Sequence, residues 1–188
     1  MLLKRVSALA SPVLLDDARS HLRVTGSDED MLITQQLAAA VAAVSERTGR
    51  RLGTETWSAS YSSVSGDLDL PMAPVQSITS ITYWDANDAQ QTAQLTDFYF
   101  FADDDFATLR PKPGRAWPSA NSNRMDAITV TFVAGFSPIP APLRTAVLMT
   151  LGHLFENREA VAVGLSVAEF PVGVADMVDL YRRGWIGA

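Results

Sequence analysis

The sequence contains no cysteine among its 188 residues. That excludes disulfides, thiolate nucleophiles and cysteine-ligated metals. Histidine is scarce, with only His21 and His153. Positive charge is also short: 15 Lys and Arg face 21 Asp and Glu, a net charge of −6. No basic cluster is larger than Arg50-Arg51 or Arg182-Arg183. A chain that grips duplex DNA is basic on at least one face, so nucleic acid as a held ligand is not expected. Phosphate-cradling loops are missing too, because Gly49-Arg50-Arg51-Leu52-Gly53 has neither the spacing nor the lysine. The apolar run after Lys4-Arg5, Val6 to Ala10, is too short for a signal-peptide core. The expectation is a mature cytosolic start.

At this length a single domain, or one domain with an insertion, is expected. Such a chain buries roughly 70% of its unfolded surface and needs no covalent staple.

The most apolar stretch, residues 140–158, reads as a helix. Pro140 and Pro142 stand at its start, where a missing N–H costs least. Leu143, Val147, Leu151 and Leu154 share one face, and Ala146, Leu148, Met149 and Phe155 widen it nearly all round. A helix of that kind is buried from several sides. At this length it cannot span a bilayer, which takes roughly 20 apolar residues. Gly152 costs about 1 kcal/mol against Ala, so a neighbouring backbone is expected to pack closely on it.

Other helices lie before and after it. Residues 12–24 carry Leu14, Leu15, Ala18 and Leu22 as a stripe, with Asp16 and Asp17 in the first turn. A second helix follows Ser27 as cap and runs to about Thr48, with Gly49 as a left-handed stop. Its alanines, Ala38 to Ala40 with Ala42 and Ala43, give it a small-residue surface on more than one side. A last helix at about 173–183 places Val174, Met177, Val178 and Tyr181 on one side. Arg182 and Arg183 sit at its negative end, and Trp185 and Ile186 trail beyond.

Between Thr54 and Ala134 the period changes to two. Trp57, Ala59 and Tyr61, then Thr79, Ile81 and Tyr83, then Ile128, Val130 and Phe132 alternate with polar residues, and Phe98 to Phe101 form an aromatic run. Turn signals separate them at Ser65-Gly66-Asp67, Asp85 to Asp88, Asp103 to Asp105 and Pro111 to Gly114. Five to seven antiparallel strands in one sheet are expected, with residues 111–126 as an exposed loop.

The expected organisation is therefore α+β, a small helical bundle with an inserted antiparallel β-sheet domain. Residues 1–53 supply N-terminal bundle helices and 54–134 the β region. Residues 135–160 supply the central helix, and 161–188 a linker and C-terminal helix.

Catalytic patterns are weak. Gly164-Leu165-Ser166-Val167-Ala168 resembles a nucleophile elbow but lacks the final glycine and follows a helix. His153 and Glu156 have metal-pair spacing, with no second pair to complete a site. Asp103-Asp104-Asp105 lacks the glycine and late glutamate of a calcium loop and reads as a solvated turn. No catalytic, cofactor-binding or metal residue is assigned, and no cofactor is expected. Trp185 and Ile186 are different, because large apolar residues at a chain end need a partner or a fold-back. Both readings stand; tryptophan and arginine dominate interface energy.

The order of segments resembles one family. Leu14 to Val24, an acidic cap and an Ala-rich helix ending Glu46-Arg47-Thr48-Gly49-Arg50 are similar to the head–tail connector (adaptor) proteins of long-tailed phages. So are Pro71 to Ile78, Val130 to Phe136 leading through Ile139-Pro140-Ala141-Pro142-Leu143-Arg144, and His153 to Ala160. Phage-like gene transfer agents carry similar adaptors, and this sequence fits either. The resemblance implies a structural, non-enzymatic protein of the particle neck, assembled in the bacterial cytoplasm. It implies a homo-oligomeric ring, twelvefold in the particle, between the portal protein and a tail-side connector or stopper. DNA would pass through the lumen as cargo, with no membrane partner. It also implies that the C-terminal region reaches the portal. Amphipathicity then assigns the portal interface to Val174, Met177, Val178, Tyr181, Arg182, Arg183, Trp185 and Ile186. The alternative is a tail-completion or other ring-forming assembly protein; a small hydrolase using Ser166 or His153 is the third reading.

Overall fold

A computed structural model describes residues 1–8, 11–157 and 173–183. The chain divides into two compact units. One, the β unit, holds strand β1 (Leu2–Ala8) and everything from Gly53 to Phe136. The other, the helical unit, holds Ser11 to Leu52 and the helices that follow Phe136.

The β unit contains two antiparallel sheets. The larger joins β1, β2 (Glu55–Tyr61), β4 (Val75–Trp84), β5 (Gln90–Ala93) and β8 (Ile128–Ala134) in the order β1-β2-β8-β4-β5. The smaller joins β3 (Leu68–Asp69), β6 (Phe98–Ala102) and β7 (Ala107–Pro111) in the order β3-β7-β6. β8 is central because its alternation is the cleanest in the chain. Ile128, Val130, Phe132 and Ala134 are buried, and the threonines between them are half-buried. Val130 is flanked by Ala59 on one side and Ile81 on the other, all fully buried. Leu68, Leu70, Phe98 and Leu109 extend the same core to the smaller sheet.

The chain leaves β8 through a glycine it cannot replace. Gly135 has φ +118°, and a Cβ there would fall 2.0 Å from the Gly53 carbonyl oxygen. Its N–H donates to Pro74 O at 2.8 Å, and its carbonyl accepts from Gln76 Nε2 at 2.6 Å.

The helical unit is built around α3 (Ala141–Glu156). Leu143, Ala146, Val147 and Leu151 are fully buried. α2 (Asp30–Thr48) packs beside it through Ile33, Leu37, Ala40 and Val44. α1 (Leu15–Leu22) buries Ala18, and α4 (Val174–Asp179) buries Val174 and Val178. Arg19 binds both Asp30 oxygens, its Nε lying 2.7 Å from Oδ1, and so ties α1 to α2. That hydrogen bond holds the Asp30 carboxyl below the usual carboxylate range.

Among the described residues the four helices, the antiparallel sheets and the α+β class agree with the expectation, except that α4 ends at Asp179, so Arg182 and Arg183 lie beyond it. Several details differ. The strands form two sheets, and the larger recruits β1, where no strand was expected. Leu14 is exposed because Val13 takes the buried position before α1. Ser27 does not cap α2, which begins at Asp30 without a side-chain cap. Gly152 meets the ring of His21, whose Nε2 is 3.6 Å from a Cβ built there, not a neighbouring backbone. The 111–126 loop is anchored as well. Trp117 packs against Phe98 with ring centroids 4.7 Å apart and planes tilted by 45°, and donates its indole N–H to Gly66 O at 2.8 Å.

Candidate functional site

The C-terminal segment is held against the end of α2 by backbone as much as by side chains. Gly49 ends α2 in the left-handed region, φ +67°, and a Cβ added there would lie 3.6 Å from Arg183 Cβ. There the Arg183 N–H donates to the Thr48 carbonyl at 2.8 Å, satisfying an acceptor that helix ends leave open. Arg50, only 6% exposed, donates from Nε to Tyr181 O at 2.6 Å. On the outer side Arg47 makes a two-pronged ion pair with Asp179, both bonds 3.1 Å.

This arrangement sorts the residues expected to meet a partner. Val174 and Val178 are fully buried inside the helical unit. Met177, Tyr181 and Arg183 are half-buried, and Arg182 is exposed. Trp185 and Ile186 lie outside the described residues. Leu180, not among the expected interface residues, is 84% exposed. The sequence signal was its position, two residues after a buried valine and so across the helix from it.

The candidates for chemistry come out scattered. His153 and Glu156 are exposed at the end of α3, where the His153 Nδ1 faces the Asn157 amide at 3.3 Å. Ser166 lies outside the described residues. Asp103 is a turn-former: its Oδ1 accepts the N–H groups of Asp105 and Phe106 at 2.7 and 2.9 Å. Among the described residues no three His, Asp or Glu side chains converge on a metal-sized site. None of their helices is long and apolar enough to cross a membrane.

Two other surfaces stand out. α2 turns the small residues Ala38, Ala39 and Ala42 to solvent, together with the larger Met31. β6 turns aromatic rings outward: Tyr99, Phe100 and Phe101 are 43, 36 and 51% exposed, and Phe106 beyond the turn 43%. In the sequence that run gave no sign of which rings were buried, because it does not alternate.

Residues 12–110, more than half of the chain, match the family model described as phage gp6-like head-tail connector protein. Comparison with curated proteins gave no match. Three solved structures have the same fold over 99% of this chain and 97% of theirs. One is a chain of the neck of an empty GTA particle computed with C6 symmetry, TM-score 0.80 at 21% identity. The second is from the virion of a native gene transfer agent particle, TM-score 0.79 at 23% identity. The third is from the neck of a native GTA particle computed with C12 symmetry, TM-score 0.77 at 22% identity. At these identities the likeness establishes the fold.

Proposed function

The chain belongs to the phage gp6-like head–tail connector family, and from that premise we propose that it is a structural adaptor in the neck of a phage or gene transfer agent particle. The match of the family model over residues 12–110 carries the reading. In it the protein is not an enzyme. Copies form a ring, twelvefold in the particle, between portal and a tail-side connector or stopper, and DNA crosses the lumen without being held. Assembly takes place in the bacterial cytoplasm. The net charge of −6 suits such a conduit, since a strongly basic wall would retain the DNA.

The portal-facing surface is assigned to the outer side of the C-terminal segment. Met177, Tyr181, Arg182 and Arg183 supply contacts, together with exposed Leu180 and the Trp185-Ile186 end. Val174 and Val178 serve it indirectly, by fastening α4 to the bundle. Deleting residues 173–188 would therefore also uncover core, so surface substitutions are the cleaner probe.

The test is co-sedimentation with the cognate portal ring. The wild-type chain is expected to sediment at about one copy per portal subunit, as matched rings require. Leu180→Asp with Arg182→Glu should weaken this at least about tenfold, roughly 1.4 kcal/mol, with an unchanged circular dichroism spectrum. Undiminished binding by the variant would move the interface elsewhere. A wild-type chain that ignores the portal and binds tail-tube subunits would favour the tail-completion alternative.

A further inference from the structure

The β unit has four sheet edges, and they are not alike. β5 is Gln90-Gln91-Thr92-Ala93, short and polar, and β3 is two residues ending in Asp69. Both are blunted in the way that discourages strand addition. The other two are longer and more apolar: β6 has no such device, and β1 has only a bulge at Val6, where its register with β2 shifts, and two cations that an acidic partner edge would neutralise. Among the described residues β1 pairs only with β2, and β6 only with β7. β1 exposes Leu2 at 64% and Val6 at 56%, with Lys4 and Arg5 between them. β6 exposes Tyr99, Phe100 and Phe101, and the turn it runs into carries Asp103, Asp104 and Asp105, all exposed.

A strand with an open outer edge and several exposed aromatic rings is a template for another strand. The charges say which strand. The acidic turn beside β6 repels a second β6, since like charges brought together across an interface are costly. Among the described residues β1 is the other open apolar edge, and it carries two cations, of which Arg5 also faces Glu55 at 3.6 Å. Lys4 and Arg5 are opposite in sign to the Asp103–Asp105 turn, and Leu2 and Val6 match the rings in polarity.

We propose that β1 of one copy docks on the β6 edge of the next, so that neighbouring copies are joined by strand addition. The two edges are different surfaces of the same unit. The contact is therefore heterologous and repeats from copy to copy, as closed rings require. This rests on the ring reading above and deepens it, by naming the residues through which subunits meet. Apolar contacts give the contact its strength, and the Lys4/Arg5 to Asp103–Asp105 attraction selects β1 over a second β6.

The absence of cysteine makes a direct test possible. Val6→Cys and Phe101→Cys are made as separate full-length variants, both at exposed positions, and mixed under oxidised glutathione. Paired strands bring facing Cα atoms to within roughly 4.5–5.5 Å, inside disulfide range. The mixed Val6–Phe101 disulfide should exceed that of a control mixture, Val6→Cys with Thr92→Cys on the polar β5 edge, by about tenfold or more. Lys4→Glu with Arg5→Glu in the Val6→Cys chain should bring the yield down to the control. Adding Asp104→Lys and Asp105→Lys to the Phe101→Cys chain should restore it. A mixed yield no greater than the control overturns the proposal. So does a dominant Phe101–Phe101 homodimer, which would mean a two-fold β6 contact. Portal co-sedimentation of the wild-type chain is scored separately. Portal binding with no Val6–Phe101 disulfide sinks this interface alone, whereas loss of portal binding sinks the connector reading.

Discussion

Arg50 Nε donates to the Tyr181 carbonyl oxygen across 2.6 Å, from a side chain that is only 6% exposed. Together with the Arg183 N–H to Thr48 and the Arg47–Asp179 pair, this contact sets where the C-terminal segment lies, and with it which residues of α4 can meet a partner.

Replacing Arg50 by alanine should free that segment. A buried hydrogen bond from a charged donor contributes about 2 kcal/mol. Amide exchange at residues 174–183 is expected to quicken at least about tenfold, while β8 amides keep their protection. Equal protection of residues 174–183 in both proteins would show that the contact is not what holds them.

Gly135→Ala should be among the most damaging single substitutions in the β unit. The new Cβ would meet the Gly53 carbonyl at 2.0 Å, in a backbone region that side chains rarely adopt. A loss of at least about 3 kcal/mol is expected, read as a drop in denaturation midpoint or in soluble yield. A wild-type midpoint would refute the packing described at the exit of β8.

Gly152→Ala separates two accounts of one glycine. If backbone pressed on it, alanine would be excluded. Instead the His21 ring lies at 3.6 Å from the added Cβ, an ordinary contact. The expected outcome is stabilisation by about 1 kcal/mol from helix propensity, a rise of roughly 2–4 °C in Tm. A lowered Tm would restore the backbone account.

Acid should act on the carboxylates that arginines hold down. Arg19 lowers the Asp30 carboxyl through its hydrogen bond, and Arg110 and Arg124 do the same for Asp67 and Asp126. A depressed folded pKa contributes stability above the unfolded value, about 3.9, which is lost as pH falls through the folded one. Carbon-detected NMR titration should find Asp30 below the usual range in the wild type and returned to it in Arg19→Gln. At the alkaline end Tyr61 runs the other way. Burial, with Asp69 adding to it, pushes its hydroxyl up to about 12, so its contribution is whole below pH ~10 and fades as pH rises through the folded value.

Much of the fold was legible because periodicity is a local property. The 3.6-residue stripe of Leu143, Val147 and Leu151 and the two-residue alternation of Ile128, Val130 and Phe132 each name their buried face without reference to anything distant. β1 was not legible for the same reason. Leu2-Leu3-Lys4-Arg5-Val6 does not alternate, and it becomes a strand through its pairing with β2, far along the chain. The smaller sheet was hidden likewise: β3 is two residues long and exists only as β7's neighbour.

The candidate site divides along the same line. Alternation and amphipathicity identified an apolar C-terminal helix but ran it to the two arginines, beyond its end at Asp179, and they could not say which of its faces was already taken. Val174 and Val178 looked as available as Met177 until α4 was seated on the bundle.

The sequence by itself determined the helices and most strands, the lack of cysteine chemistry, and the order of segments that marks the family. Those depend on side-chain type and spacing along a single element. Only the tertiary structure decided that Gly152 faces a histidine ring, that β1 forms an edge strand of the larger sheet, and that β6 leaves its aromatic edge open. Each of those is a meeting between residues far apart in the chain, set by which surfaces reach one another first and bury most.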